Sequence, residues 1–196
     1  MAQPSHREQL LQGAVQCLRT KGYARTTARD IAAAAHGNLA SIGYHFGSKE
    51  ALLNEAIGRS CEEWTDRLGK AALAGSEASP FTKVAASWVA MVDSFEELRP
   101  ILLGLFEAVA QSAWSPPLRE QLAAHYRTSR DQVAQMVRDG LEDDLEEAGI
   151  DPHVVAAFLI AVCDGLVLQW LLDPDQTPTG EELTASLGAA VAQSLA

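Results

Sequence analysis

The chain has 196 residues, with 15 Lys and Arg against 26 Asp and Glu, and a formal net charge of −11 at pH 7. Apolar residues make up 47% of it and charged residues 21%, a globular balance that excludes a disordered or fibrous chain. Three cysteines without a CxxC spacing argue against a disulfide framework and against a cysteine-based metal site.

The apolar positions predict helices along the whole chain. They recur at helical spacing, and alternating β-branched runs are absent, so the expected fold is all-α. The first helix ends near Lys21 and Gly22, because a basic residue followed by glycine is typical of helix C-termini. Its apolar stripe consists of Leu10, Leu11, Ala14, Val15 and Leu18.

A short second helix is predicted to begin after Thr27. The Thr27 hydroxyl can cap the first turn, and Asp30 can return a hydrogen bond in a capping box. His36 and Gly37 then break the helix, because both residues tolerate the positive φ of a tight turn. A sharp turn is therefore expected at these two residues.

Two further caps mark the helices that follow. Asn38 is a favourable N-cap for a third helix through Tyr44, and Ser48 caps a long fourth helix that runs to about Leu68. The clearest loop is AGSEASP at residues 74–80. Five more helices are predicted at Phe81 to Leu98, Ile101 to Ala113, Leu118 to Glu147, Val154 to Leu172 and Glu181 to Leu195, with Pro100 as the break between the first two.

The charges divide the chain into two parts. Residues 1–50 hold six Lys or Arg against three acidic residues, whereas residues 51–196 hold nine against twenty-three. A net charge of +3 on a segment joined to one of −14 is a hint of a DNA-facing end, since phosphate binding needs local positive potential. We therefore expect a DNA-binding domain at 1–50 and a ligand-binding and dimerisation domain at 51–196.

The second and third predicted helices fit a helix-turn-helix. In this motif the second helix of the pair enters the major groove, and its N-terminal residues face the base edges. The candidate base-reading residues are therefore Asn38, Leu39, Ala40, Ser41 and Gly43. Leu39 or Ala40 can contact a thymine methyl group, and Asn38 or Ser41 can hydrogen bond to base edges.

The segment TTARDIAAAAHGNLASIGYHFGSKEALL resembles the DNA-binding signature of TetR-type (tetracycline-repressor family) regulators. SIGYHF at residues 41–46 and SKEALL at 48–53 carry most of the resemblance, which extends over about residues 7–57. It implies that Thr27, Tyr44, His45 and Lys49 bind the phosphate backbone of double-stranded operator DNA. The sequence departs from the family at His36-Gly37-Asn38, where Gly-Val-Ser or a similar triplet is usual, and at Ala40, where glycine is common.

The resemblance also implies a small-molecule inducer that binds in the larger domain and releases a repressor from its operator. A mostly apolar pocket with a few polar groups is the normal form of such a site. The candidate residues are Trp88, Met91, Phe95, Phe106, Glu107, Gln111, Tyr126 and Asp164. For each residue alone, a place in the core, at the surface or, for Asp164, within an interface is an equally good interpretation.

The eighth and ninth predicted helices are the expected homodimer interface. The eighth, Val154 to Leu172, is apolar nearly all round, which is unusual for the surface of a monomer. The ninth has a capping box at Thr179 and Glu182 and an apolar stripe. A four-helix interface between two copies, as TetR-type proteins use, would bury both faces.

No motif supports catalysis, a cofactor or a metal. The acidic run Glu142 to Glu147 lacks a histidine partner, and no Ser/His/Asp order, glycine-rich phosphate loop or HExxH is present. Three alternatives stay open: a helical small-molecule-binding protein that no longer engages DNA, an activator or corepressor-dependent regulator, and an all-α enzyme using Asp164, His125 or Glu107.

The N-terminal residues and the apolar runs predict the compartment. MAQPSHREQL lacks the apolar run of a secretory signal, and the longest uninterrupted apolar stretch, Val154 to Cys163, is shorter than a bilayer span. We therefore expect a cytoplasmic protein without a membrane partner.

Overall fold

A computed structural model of the chain describes residues 5–73, 80–141 and 149–194. Within these ranges the protein has α-helices and one 3-10 turn, Pro174–Gln176, but no strand, which confirms the all-α prediction. Residues 74–79 of the predicted loop and the acidic run at 142–147 lie outside the described residues. The helices are α1 His6–Lys21, α2 Ala28–Ala34, α3 Leu39–Phe46, α4 Lys49–Leu73, α5 Pro80–Asp93, α6 Phe95–Ser112, α7 Pro116–Leu141, α8 Pro152–Leu172 and α9 Gly180–Ser194.

The predicted caps set the beginnings of α2, α3 and α4. Thr27 Oγ1 accepts from the Asp30 backbone N–H at 3.2 Å, and Asp30 Oδ2 accepts from the Thr27 backbone N–H at 2.9 Å, which completes the capping box. Asn38 Oδ1 accepts from the Ser41 N–H at 2.9 Å, and Ser48 caps α4 in the same way. These bonds satisfy amides that a helix N-terminus leaves without a backbone partner.

The turn between α2 and α3 depends on one left-handed residue. His36 has φ of 50°, the only positive φ outside glycine among the described residues. The positive φ that we expected at His36 and Gly37 therefore falls on His36 alone. This conformation reverses the chain within a few residues and directs it into α3.

The predicted break at Pro100 was wrong. Pro100 lies inside α6, and the chain breaks at Ser94. Ser94 Oγ donates to the Met91 carbonyl at 2.7 Å and accepts from Trp64 Nε1 at 2.8 Å, so a side chain stabilises the corner. A proline near the beginning of a helix removes one backbone hydrogen bond, which the α6 packing tolerates.

The chain forms two compact units. Unit 1 comprises Met1–Glu62 and Leu98–Arg127, and unit 2 comprises Glu63–Glu97 and Thr128–Ala196. The divisions fall within α4, α6 and α7, so each of these helices contributes residues to both units. The predicted functional boundary at residue 50 does not coincide with them and stays a prediction.

Unit 1 contains a continuous hydrophobic core. Side chains from α1 to α4 are buried with side chains from the unit 1 parts of α6 and α7. Gly104 on α6 allows close packing, because a Cβ there would lie 3.3 Å from Ile57 Cδ1 and 3.6 Å from Leu18 Cδ2. The buried sides of α2 and α3 thus pack into the continuous hydrophobic core of unit 1.

Unit 2 is built around an aromatic cluster. Phe95 is fully buried, with its ring centroid 6.2 Å from that of Trp64 and 5.6 Å from that of Trp170. The beginning of α9 packs tightly on α5, since a Cβ on Gly180 would lie 2.4 Å from Val89 Cα. The predicted capping box at Thr179 and Glu182 begins this helix.

Helix α8 is unusually apolar and exposed. Its 21 residues are long and apolar enough to cross a membrane by length and composition, and only 22% of the most apolar window is buried within the chain. The apolar run Val154 to Cys163, which the sequence analysis found to be shorter than a bilayer span, is only part of this helix. The core helix of a soluble protein can meet the same criterion of length and composition.

Candidate nucleic-acid interface

Helix α3 has one buried side and one exposed side. Ile42 is 3% exposed and belongs to the unit 1 core, and Phe46 packs against that core. On the opposite side, Leu39, Ala40, Gly43 and Tyr44 are exposed. Residues three and four apart share a helix face, so these four form one surface that can enter a groove.

The two polar candidates at the start of α3 are bonded to each other. Asn38 Oδ1 accepts from the Ser41 backbone N–H at 2.9 Å and from Ser41 Oγ at 3.1 Å. The Asn38 amide N–H₂ is the donor that remains on this side chain. The cap therefore uses the acceptor that a bidentate contact to adenine would need.

The four phosphate-binding candidates are differently placed. Tyr44 is 86% exposed, whereas His45 is half-buried, with its ring edge-on to Tyr44 at 4.9 Å between centroids. Lys49 Nζ donates to the Thr26 carbonyl at 3.0 Å, which ties the start of α4 to the start of α2. The exposed Thr27 hydroxyl donates to Asp30 Oδ2 at 2.7 Å, so Thr27 serves the cap as well.

A salt bridge at the start of α2 fixes the charge beside Thr27. Lys21 Nζ lies 2.6 Å from Asp30 Oδ1. The hydrogen bond from Lys21, together with those from Thr27, holds the pKa of Asp30 well below its usual range. Asp30 therefore stays ionised at neutral pH and keeps the capping box intact.

Ion pairs between α1 and α4 brace this part of unit 1. Glu8 accepts two hydrogen bonds of 2.7 Å from Arg59 Nη1, and Arg7 pairs with Glu55. The hydrogen bond from Arg59 lowers the pKa of Glu8. The guanidinium of Arg7 also lies 4.9 Å from the Phe46 ring centroid, which links α1 to α3. Our sequence analysis missed these pairs, because their partners are about fifty residues apart and follow no local spacing.

A buried polar cluster joins three elements of unit 1. Tyr23 Oη donates to Asn54 Oδ1 at 2.9 Å, and both residues are buried. Burial, followed by the charges of Glu50 and Glu107, raises the pKa of Tyr23 to about 12. Asn54 Nδ2 and Glu107 Oε2 are also buried, and neither has a hydrogen-bond partner among the described residues. Burying a polar atom without a partner costs free energy.

The eight inducer-binding candidates are divided between the units. Met91 and Phe95 are buried in unit 2, where Trp88 and Asp164 are half-buried. The other four lie in unit 1, where Gln111 is exposed and Phe106, Glu107 and Tyr126 are half-buried. Within the described ranges, Glu107 is an inducer-binding candidate that has a buried oxygen without a hydrogen-bond partner.

The three residues considered for catalysis are divided between the two units. His125 and Glu107 lie in unit 1 and Asp164 in unit 2. His125 Nδ1 lies 3.2 Å from Glu62 Oε1, and its ring packs where a Cβ on Gly58 would be. In the described part of the chain, no three His, Cys, Asp or Glu residues are grouped so that they could hold a metal ion.

Comparisons with known proteins cover most of the chain. The sequence model described as "Bacterial regulatory proteins, tetR family" matches residues 10–56, and that described as "BetI-type transcriptional repressor, C-terminal" matches residues 80–196. The chain is 24% identical to the transcriptional repressor DhaR of a Mycobacterium species, over 94% of this chain and 91% of DhaR. It is 26% identical to the transcriptional regulator TtgR of Pseudomonas putida, over 86% of this chain and 81% of TtgR.

A solved structure shares the fold. The multidrug binding protein EbrR in complex with imidazole superposes with a TM-score of 0.62 and 25% identity, over 94% of this chain and 96% of EbrR. The similarity extends through both units and is not confined to the helix-turn-helix.

Proposed function

Because this chain belongs to the TetR family of bacterial regulators, we propose that it is a homodimeric repressor that a small-molecule inducer releases from its operator. DNA binding and transcriptional regulation are the shared function of the relatives that it matches. The exposed face of α3 above a complete core is the observation that carries the proposal to this chain. We retain residue 50 as the end of the DNA-binding domain, and a cytoplasmic location follows from DNA as the partner.

We assign the phosphate contacts to Thr27, Tyr44, His45 and Lys49, and the base contacts to Asn38, Leu39, Ala40, Ser41 and Gly43. The hydroxyl, imidazole and ammonium groups are suitable donors to phosphate oxygens, as are helix N-terminal amides. The positions of Thr27 and Lys49 at the starts of α2 and α4, joined through the Thr26 carbonyl, support a common phosphate site.

We propose that α8 and α9 form the dimer interface. On α8, an apolar stripe of alternating three- and four-residue spacing supports this, because such a seam packs against a second helix. Small residues in its middle would allow close approach of the two helices. The stripe consists of Val154, Phe158, Ala161, Gly165, Leu168 and Leu172. A second copy of the chain, and not lipid, is the cover that we propose for this face, and two α3 helices would then read a palindromic operator.

For the inducer we propose a contact with Glu107. A buried carboxylate oxygen without a partner favours a ligand that carries a cation or a hydrogen-bond donor. The neighbour EbrR is described as a multidrug binding protein, which supports a small-molecule ligand here. The roles of the other seven candidates stay predictions.

We propose that the inducer acts by changing the spacing of the two DNA-binding domains in the dimer, with α4 as the link. Only a ligand with different affinities for the two spacings can do this. The first measurement is operator binding by fluorescence anisotropy, with duplexes from the chromosomal region upstream of the protein's own coding sequence. Absence of binding at low ionic strength would favour the alternative of a helical small-molecule-binding protein.

The second measurement tests release. Compounds that raise the melting temperature of the purified protein are added to the protein–DNA complex, and each is expected to weaken operator binding. Glu107→Gln should reduce the response to cationic compounds while leaving operator affinity unchanged. A bound ligand that strengthens operator binding would instead identify a corepressor-dependent regulator or an activator.

A further inference from the structure

The DNA-reading face of α3 is almost without hydrogen-bonding side chains. Leu39 is 49% exposed, Ala40 and Gly43 are exposed beside it, and a Cβ added to Gly43 would meet nothing within 4 Å. Tyr44 adds a phenol at one edge of this face. The surface is therefore a small apolar patch whose low relief lets the helix approach base edges closely.

The polar residues next to this patch are restrained by the helix cap. Asn38 Oδ1 accepts two hydrogen bonds from Ser41, one from its backbone N–H and one from its hydroxyl. A bidentate contact from Asn38 to adenine would need this same oxygen and would break the cap. The Ser41 hydroxyl donates its hydrogen to the same Asn38 oxygen. Neither side chain is therefore placed to form a pair of hydrogen bonds to one base.

The major groove offers few groups that suit such a surface. Guanine, cytosine and adenine present donors and acceptors there, whereas thymine also presents the C5 methyl group. An apolar side chain gains affinity by removing that methyl group from water, and it leaves a donor or acceptor of the other bases without a partner. An apolar side chain placed against the base edges therefore favours thymine over the other three bases.

We propose that this protein recognises its operator mainly through thymine methyl groups contacted by Leu39 and Ala40. The inference rests on the proposed DNA-binding function and deepens it. Each half-site contains at least one thymine that faces α3, and its methyl group, not its hydrogen-bonding edge, provides the discrimination.

The test replaces thymine by uracil, which removes the methyl group and keeps every hydrogen-bonding group. The full-length protein first selects duplexes from a random library at low salt. The selected duplex is then prepared with deoxyuridine at single conserved thymines, one in each half-site. Loss of one buried methyl group weakens binding about fourfold, so the symmetric pair should weaken it about fifteenfold. Uracil at thymines outside the half-sites should have no effect.

Variants of the protein test which side chain contacts the thymine methyl group. Leu39→Ala should lower the ratio of thymine to uracil affinity to the share that Ala40 contributes, whereas Lys49→Ala should weaken binding to both duplexes equally. Leu39 is half exposed, and a thermal melt of each variant checks that the fold is retained. An unchanged ratio in Leu39→Ala would contradict the assignment to this residue.

The outcomes separate this inference from the function on which it rests. Tight binding with equal affinity for the thymine and uracil duplexes, or a selected site without thymine opposite α3, overturns methyl recognition alone. Failure to bind any duplex at low ionic strength overturns the proposed operator binding itself.

Discussion

The core of unit 1 and helix α8 of unit 2 differ in how far their large apolar side chains are exposed. In unit 1, residues such as Leu10, Ile31 and Leu53 are at most 1% exposed and belong to one continuous cluster. In unit 2, Phe158 and Leu172 on α8 are 66% and 78% exposed. Large exposed apolar patches mark interaction sites, and the exposed side of α8 is the face of unit 2 that we propose a second copy of the chain covers.

The charges follow the same division. Unit 1 contains ten Lys and Arg against seven Asp and Glu, and unit 2 contains five against nineteen, which gives +3 and −14. Phosphates therefore attract one unit and repel the other. The negative net charge of the whole chain conceals a division that suits a DNA-binding protein.

The largest expected effect comes from a charge on the exposed apolar side of unit 2. Leu168→Glu should abolish the dimer and weaken operator binding more than about a hundredfold, because one recognition helix alone keeps only half of the contacts. Sedimentation velocity and fluorescence anisotropy measure the two effects. Leu103→Glu is the matched control, since Leu103 on α6 of unit 1 is 43% exposed against 46% for Leu168. A dimer that survives the change at Leu168 would contradict the proposed interface.

Gly180→Ala should destabilise unit 2 by about 2 kcal/mol, because the added methyl group would collide with backbone atoms, which cannot change rotamer to avoid it. A Cβ there would lie 2.4 Å from Val89 Cα and 2.9 Å from the Trp88 carbonyl oxygen. Urea unfolding followed by circular dichroism measures the loss. Gly140→Ala, where a Cβ meets nothing within 4 Å, should stabilise α7 by up to about 1 kcal/mol. Equal effects of the two changes would show that α9 does not depend on this close approach.

A smaller effect is expected from one phosphate contact in unit 1. Lys49→Ala should weaken binding about fivefold on every duplex and, because the proposed dimer loses one phosphate contact in each subunit, reduce the slope of log K against log salt by about 1.8. Lys70→Ala in unit 2 is the control, because Lys70 pairs with Asp66 there and should leave both quantities unchanged. Weaker binding with an unchanged salt slope would mean that Lys49 acts only through its bond to the Thr26 carbonyl.

The smallest effect concerns the buried polar cluster of unit 1. Tyr23→Phe should lower the free energy of unfolding by about 1 kcal/mol at pH 7, since it removes the hydrogen bond to Asn54. The raised pKa of Tyr23 means that its stabilisation is complete below about pH 10, the ordinary pKa of tyrosine, and is lost as the pH rises to about 12. Urea unfolding across this range should show a steeper alkaline loss in the original protein than in Tyr23→Phe. Tyr44→Phe, at a residue that is 86% exposed, should leave stability unchanged at pH 7.

Much of the helix-turn-helix could be predicted because its signals are local. Thr27 with Asp30, Asn38 and Ser48 each cap the helix that directly follows them, so the sequence spacing alone locates the bonds. The break before α6 could not be found in this way. A proline is a strong local signal at residue 100, but the corner at Ser94 depends on Trp64, thirty residues away.

The sequence by itself determined the all-α fold, the capped helices of the DNA-binding segment and the family, because helical periodicity, capping and the SIGYHF–SKEALL signature are all read between near neighbours. Only the tertiary structure decided which polar side chains are already bonded to another residue of the chain. The bond of Lys49 to Thr26 and the pairing of Glu8 with Arg59 depend on residues brought together from distant parts of the chain. The same is true of the burial of Glu107 Oε2, which has no hydrogen-bond partner among the described residues. Burial and partner distance fix what a polar side chain can bind, and neither quantity is encoded in local spacing.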